Sequence, residues 1–585
     1  MNSPNHSYRS FKINAKEFVG LLFLIMLMAS CTKEKPIVPE IENLTQVINP
    51  VFNRKPNIVW IVAEDLSPYL PSFGDSTILT PYLSKMAAEG VCYDNFYAPH
   101  PVCAPARAAI ITGMYANSIG ASHMRTGPWF GNRPDEKTLA NYQKAMPQNI
   151  KPYEAVPRPE VRMFTEYLRS AGYYCSNNSK EDYQFIKTPT AWDESSPKAH
   201  WRNRTEGQPF FSVFNIEVTH ESKIWTKKTD SLWVNEDLNV PVPPYLPNTD
   251  IAKKDIRRMY SNIKEMDARV GDILKELEED GLLENTIVFW YSDHGGPLPR
   301  QKRLLYDSGL KVPLIIKFPG SLYQGQRDGR MISFIDLAPT LLSLAGINLP
   351  DHIQGTAFLG RNMRSKEPKY VFGAADRFDE TTDRIRSVRD NRFKYIKYYN
   401  PDTPMFLEVS YRNQMPIMQE LMRLQKAGEL SPEQQQWFRT NKPEEELFDL
   451  NNDPYELHDL SWDPEFKEKL DELRLACNSW TKEIQDTGLI PEEQLIAQML
   501  PGGVQARTLD PVISAAGYKI EINCDTQGAS IGYKIFQDAE NHDEKPWLVY
   551  TQPVEVKKGQ LIQVIAHRIG FLPSEVKELV VEHKP

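Results

Sequence analysis

"NIVWIVAED", Asn57 to Asp65, is a run of apolar residues that does not alternate and that ends on two carboxylates. A strand with one wet face would alternate. An unbroken apolar strand is buried on both faces, as in a parallel sheet covered by helices. The same texture returns in "FFSVFNIEVTH" (210–220), "TIVFWYSDHGG" (286–296) and "VPLIIKFPG" (312–320), with "YYCSNN" (173–178) as a shorter strand. Helical segments lie between them. "TPYLSKMAAEG" has Thr80 as N-cap, Pro81 in the first turn and Gly90 as the stop. "VRMFTEYLRSAG" (161–172) and "IDLAPTLLSLAG" (335–346) are two more helices. Ile256, Met259, Ile263, Met266, Val270, Ile273, Leu274 and Leu277 form one stripe at helical spacing. The alternation predicts an α/β fold with a large, mostly parallel sheet flanked by helices. In such sheets the ligand lies beyond the carboxyl ends of the strands. Those ends carry Glu64 and Asp65, His220, and Asp293 with His294.

Downstream the texture changes. From residue 369 to 495, "IRSVRDNRFKYIKYY" alternates like antiparallel strands, and "EELFDLNNDPYELHDL" precedes a helix around Lys467 to Ile484. We read a smaller α+β subdomain there, packed on a first domain of residues 56–368. "PEEQLIAQMLPGGVQARTLDP" is linker-like, and residues 510–585 alternate at period two between turns, which predicts a small β-sandwich module. No catalytic set is evident in that module.

The chain of 585 residues carries a formal charge of −9 and no Lys/Arg-rich stripe, which argues against a nucleic-acid surface. Its N-terminus is a targeting signal. Arg9, Lys12 and Lys16 precede the apolar "FVGLLFLIMLMAS", and Cys31 follows directly. A small residue before a cysteine at that place looks like a bacterial lipoprotein cleavage site. The expectation is a signal peptide over 1–31, lipidation of Cys31, a tether over 32–55, and an exported protein held at a membrane by its lipid alone, facing the periplasm or at the cell surface. Cys92 and Cys175 sit in strand-like runs and read as buried apolar residues.

Another cysteine stands apart. "HPVCAPARAAIITGM" (100–114) puts Cys103 at the mouth of a short helix. A helix N-terminus suits an anion, and a thiol there has a lowered pKa. On these grounds alone Cys103 is a nucleophile, a redox thiol or one wall of an anion site. The string Cys103, Pro105, Arg107, Thr112 and Gly113 resembles the signature of the type I sulfatases, in the alkaline phosphatase superfamily. Further features of that family follow in order: the acid pair Glu64-Asp65, "SDHGG", "VPLIIKFPG", "IDLAPTLLSLAGI" with Gln354-Gly355, and "ELFDLNNDPYE". The form "PLPRQKRLLYDSGLKVPLII" is closest to the sulfamidase-like branch and its bacterial polysaccharide-sulfatase relatives.

The resemblance implies a set of roles. Cys103 would be oxidised to formylglycine by a formylglycine-generating or anaerobic sulfatase-maturating enzyme. The hydrated aldehyde would attack sulfur with one hydroxyl and expel sulfate through the other. Glu64, Asp65, Asp293, His294 and the residue-103 oxygen would hold one divalent cation. Acidic oxygens suit calcium, whereas the imidazole of His294 favours softer metals. Glu64 stands where the family more often has Asp. Arg107 would hold the diol and the metal acids, Lys180 and Lys302 the sulfate, and His220 would protonate the departing sugar oxygen. Asp182 occupies a place where most relatives have a histidine that deprotonates the diol. His123 is a candidate substitute or a sugar contact. Arg125, Arg377 and Asp379 are candidate substrate contacts. The implied function is hydrolysis of sulfate esters on a sulfated polysaccharide or oligosaccharide such as ulvan, another algal glycan or a glycosaminoglycan. A phosphate or phosphonate monoester hydrolase and a glycan-binding pseudoenzyme are the alternatives.

Overall fold

The structure is a computed structural model that describes residues 48–129, 131–144, 146–537 and 545–581. The expected signal, Cys31 and most of the expected tether lie outside these residues. Eight strands make the main sheet: β1 (Asn57–Ala63), β2 (Val91–Tyr97), β3 (Tyr174–Asn178), β4 (Glu194–Ser195), β5 (Phe210–Ile216), β6 (Thr286–Ser292), β7 (Lys311–Lys317) and β8 (Gln326–Ser333). Their spatial order is β4-β3-β5-β1-β6-β7-β2-β8. The sheet is mostly parallel; β7 alone runs against both its neighbours, β6 and β2.

The opening stretch is the centre of this sheet. Val59, Ile61 and Ala63 enter one apolar cluster, and Ile58, Trp60 and Val62 enter another. Successive side chains on a strand face opposite ways, so burial on both faces is what removes the alternation. The helix Asp250–Glu279 covers the first face through Ile256, Met259, Ile263, Met266 and Val270. The helices Phe164–Ser170 and Leu337–Leu344 cover the second. Ala63 pairs with Ile216 on β5 and Ser292 on β6. The three strand ends therefore lie side by side, and the residues that follow them converge.

Local details differ from the sequence reading. The helix Pro81–Glu89 begins after Thr80, but the Thr80 side chain does not cap it. Asp267, from the long helix, accepts hydrogen bonds from Leu83 N at 2.8 Å and Tyr82 N at 3.3 Å. β5 ends at Ile216, and a 3-10 turn, Glu217–Thr219, separates it from His220. The expected linker contains a helix, Glu492–Met499, that opens on two acids after Pro491.

A second sheet is antiparallel, in the order β12-β11-β10-β9, from β9 (Val371–Phe378), β10 (Thr381–Arg389), β11 (Phe393–Tyr398) and β12 (Glu445–Asp449). The helix Lys467–Glu483 packs Leu470, Leu473 and Cys477 onto it. The C-terminal strands are β13 (Val512–Ala516), β14 (Lys519–Asn523), β15 (Ser530–Phe536), β16 (Leu548–Val549), β17 (Val554–Glu555), β18 (Leu561–His567) and β19 (Lys577–Val580). They form a three-stranded and a four-stranded antiparallel sheet around Ile520, Ile522, Ile562 and Val564. The five described cysteines are free, with Cys92 and Cys175 buried.

Candidate active site

Cys103 opens the helix Cys103–Thr112, every residue of which is buried. Its thiol does not behave as its place at the helix N-terminus predicts. Burial pushes its pKa up to about 12, against the opposing pull of Lys180. Desolvation of the thiolate outweighs the helix end and both nearby lysines. An unmodified Cys103 is thus a protonated thiol and a poor nucleophile.

One turn on, Arg107 ties the helix to two strand ends. Its Nη2 donates to Glu64 Oε2 at 2.9 Å, its Nε to Asp293 Oδ2 at 3.2 Å, and its Nη1 to Asn215 Oδ1 at 2.7 Å. Lys180 Nζ pairs with the other oxygen of Glu64. Lys302 Nζ lies 3.0 and 2.9 Å from the two oxygens of Asp65, 3.2 Å from Glu221 Oε1 and 3.4 Å from His220 Nε2. His220 Nδ1 sits 2.8 Å from Ser222 Oγ. Burial and the Lys302 charge lower the His220 pKa to about 4, so the imidazole is neutral.

Three carboxylates are fully buried here. Burial would raise Glu64, but Lys180 and Arg107 hold it far below the usual range. Burial opposes ionisation of Asp65 too, and Lys302 overcomes it. Asp293 is raised, first by burial and then by the Glu64 charge. Asp65, Asp293 and His294 can bring one ligand atom each within 4.8 Å of the others, as can Glu64, Asp65 and His220. His294 Nδ1 lies 3.0 Å from Gly295 O, which makes it the protonated nitrogen. Its Nε2 has no satisfied hydrogen bond and lies 2.9 Å from Asp65 Oδ1. An imidazole nitrogen and two carboxylates gathered in one buried cluster fit a divalent cation, with Asp65, Asp293 and His294 as its holders.

The remaining residues divide. Asp182 is buried, has φ +55° and forms no ion pair or hydrogen bond among the described residues; its charge acts on the Cys103 thiol. Arg125 pairs with Asp379 and lies 5.1 Å over the Tyr411 ring. Tyr411 packs in turn 6.3 Å from the His220 ring. Arg377 is fully buried. It donates to Glu492 at 2.7 and 3.0 Å and to the carbonyls of Met124 and Asp379, so it braces the structure rather than meeting a substrate. His123 is 1 % exposed, with Nδ1 3.9 Å from Glu492 Oε2. Neither of its ring nitrogens has a hydrogen-bond partner among the described residues, and its burial removes it from the place of a sugar contact. Asp379 is 3 % exposed and engaged with Arg125 and Arg303; it too is a bracing group.

Sequence reasoning missed Asn215, Thr219, Glu221 and Arg303. The Thr219 hydroxyl accepts from Glu64 N at 3.2 Å. Glu221 takes both arms of Arg303, at 2.9 and 2.8 Å, and its amide donates to Asp65 Oδ2 at 2.7 Å. Glu221 directly follows His220 and Arg303 directly follows Lys302, and that adjacency was the available signal. Asp65, Asp182, Arg303, Arg125 and Asp379 all have φ between +48° and +77°. Left-handed backbone at bulky or acidic residues costs energy and gathers at functional sites.

The chain is similar to known proteins along most of its length. The family model described as sulfatase matches residues 56–347, and that described as N-sulphoglucosamine sulphohydrolase, C-terminal, matches residues 300–422. An ulvan-active sulfatase of Formosa agariphila is 47 % identical over 597 residues, covering 96 % of this chain and 97 % of that protein. The human N-sulphoglucosamine sulphohydrolase is 24 % identical, covering 77 % and 95 %. A solved protein in complex with its substrate D-glucosamine-2-N,6-O-disulfate has the same fold, with a TM-score of 0.52 at 17 % identity, over 75 % of this chain and 100 % of that one.

Proposed function

The chain belongs to the sulfatase family and is a sulfuric ester hydrolase; from that premise we propose that its substrate is ulvan or an oligosaccharide of it, and that residue 103 acts as formylglycine. The observation that carries this reading is the convergence on Cys103 of the charges of Lys180, Lys302, Asp182 and Glu64, the last held by Arg107 from the same helix. The substrate rests on the 47 % identity to an ulvan-active sulfatase.

A formylglycine at 103 supplies a hydrated aldehyde as nucleophile, and a divalent cation, calcium in this reading, supplies positive charge beside the sulfate. Asp65, Asp293 and His294 would be its protein ligands, and Glu64 would join them once Lys180 turns away from it. The chain's own groups do the rest. Lys180 and Lys302 turn from Glu64 and Asp65 toward the sulfate oxygens and draw the anion in. Arg107 fixes the acids and the head of the helix. His220 Nε2, beside Lys302 Nζ, is where the leaving sugar oxygen gains its proton. An arriving sulfate adds negative charge that favours protonated His220, opposing the surroundings that keep it neutral. Asp182 stands nearest to the role of base at residue 103. Arg125, stacked on Tyr411 at the rim, meets the sugar.

In this reading residues 56–368 form the catalytic domain, 369–495 its C-terminal subdomain and 510–585 a β-sandwich module. A maturating enzyme installs the aldehyde, and residues 1–31 direct export and lipidation at Cys31. The test is sulfate release by matured protein from ulvan, ulvan oligosaccharides, heparan fragments and carrageenan, with paired sulfate and phosphate aryl esters. Release from ulvan fragments above the other glycans, with the sulfate ester preferred, is expected. Preference for the phosphate ester, or for another glycan, would overturn it.

A further inference from the structure

Lys302 is held from two sides. Its Nζ lies 3.0 and 2.9 Å from the oxygens of Asp65 and 3.2 Å from Oε1 of Glu221. Asp65 is one of the acids read as ligands of the cation, and a carboxylate that serves a divalent cation has less to offer an ammonium. Glu221 is the second acid on Lys302, and it lies outside both clusters that could hold a metal.

Glu221 is itself fixed. It is 1 % exposed, and each of its oxygens takes one arm of Arg303, at 2.9 and 2.8 Å. Its amide donates to Asp65 Oδ2 at 2.7 Å. Arg303 is buried as deeply, and its own amide donates to the carbonyl of Pro101 at 2.9 Å, two residues before Cys103. The pair thus joins the turn of His220, the turn of Lys302 and the approach to the Cys103 helix. A buried ion pair is a costly way to fill space, since apolar side chains of the same volume stabilise as well or better. What a bidentate Arg–carboxylate pair adds is an anion in one fixed place, and here that place is beside Lys302.

We propose that Glu221 is a positioning residue: pinned by Arg303, it keeps the Lys302 ammonium beside His220 Nε2, 3.4 Å away, while Asp65 serves the cation. The proposal rests on the sulfate-binding role given to Lys302 above. Without the charge of Glu221, Lys302 would lie on Asp65 alone, drawn off the sulfate and set against the cation.

The test is a double-mutant cycle between Glu221→Gln and Lys302→Ala in the matured full chain. It has two independent readouts: turnover of 4-nitrophenyl sulfate, and the calcium concentration that gives half of the rise in Tm. Glu221→Gln alone should lower kcat/KM about tenfold and raise the calcium midpoint. In the Lys302→Ala background the same change should alter neither, because the group it acts through is gone. Glu221→Asp, which keeps the charge, should fall between the parent and Glu221→Gln in both readouts, and it replaces Glu221→Gln in the cycle should that variant not fold. Where turnover by Lys302→Ala is too slow to divide further, the calcium midpoint decides. Equal changes in both backgrounds would mark a brace of the fold and overturn the proposal, as would an unchanged kcat/KM and calcium midpoint in Glu221→Gln. Full turnover by Lys302→Ala is a separate failure: it would remove the sulfate role of Lys302, and the proposal with it.

Discussion

Neutral His220 stands 3.4 Å from a lysine ammonium, between an anion site and the rim. If it protonates the leaving oxygen, its importance grows as the leaving group becomes more basic. His220→Ala should lower kcat on a sugar sulfate by about 100-fold or more, and on 4-nitrophenyl sulfate by far less. Equal losses on both would remove the acid role. His294 offers a second test. Its Nε2 fits a cation, so His294→Ala should leave less than one equivalent of divalent metal on purified protein, read by elemental analysis. Chelation should lower Tm in the unchanged protein more than in the variant. Glu64, Asp65, Asp293 and His294 stand out in the sequence because they directly follow apolar strands, whereas His220 lies one 3-10 turn beyond its strand. Asn215 and Glu221 do not stand out. Their roles depend on which donor reaches them across the sheet, and nothing in the string encodes that. The Cys103 pKa was misread for a related reason: helix position is local, whereas burial is set by the whole surrounding fold.

At the scale of elements, buried carboxylates act as caps across helices. Asp255, on the long helix, accepts Ile417 N at 2.7 Å at the start of the helix Pro416–Ala427. Burial raises its pKa from 3.8 to about 7. The folded chain therefore keeps a proton that the unfolded chain has lost between those values, and stability falls as pH rises through that window. Asp255→Asn keeps an acceptor and removes the titration. Chemical denaturation should show the variant less dependent on pH between 4 and 7, and more stable than the parent near neutrality; parallel curves would contradict this. Strands and long helices were read correctly because unbroken or helical apolar periods survive in any context. Thr80 was misread as a cap because Asp267, 187 positions later, supplies the acceptors. The helix Glu492–Met499 was missed because "PGG" follows it closely, and because its anchor, the Arg377–Glu492 pair, is a tertiary contact.

At the scale of the molecule, the C-terminal sheets close against the loop before the helix Phe164–Ser170. Gly528 has φ +85° and Gly570 φ +81°. A Cβ at either would come within 2.4 Å of a backbone oxygen, Pro159 O or Ala155 O. Gly570→Ala should cost about 1–3 kcal/mol, read as a lowered Tm, with kcat on 4-nitrophenyl sulfate little changed at temperatures where the protein stays folded. An unchanged Tm would mean that the sheets do not seat as described. The catalytic centre is likewise a whole-molecule object, since β1, β5, β6 and the helix Cys103–Thr112 each bring one part. Its meaning turns on residue 103, where a buried, protonated thiol offers little nucleophile. The most direct measurement is the mass of the tryptic peptide spanning residue 103, taken from protein co-produced with a sulfatase-maturating enzyme and assayed for sulfate release in the same sample. The account predicts an aldehyde or its hydrate at residue 103 in proportion to activity, and no activity in Cys103→Ala. Full activity with an unmodified cysteine would contradict it.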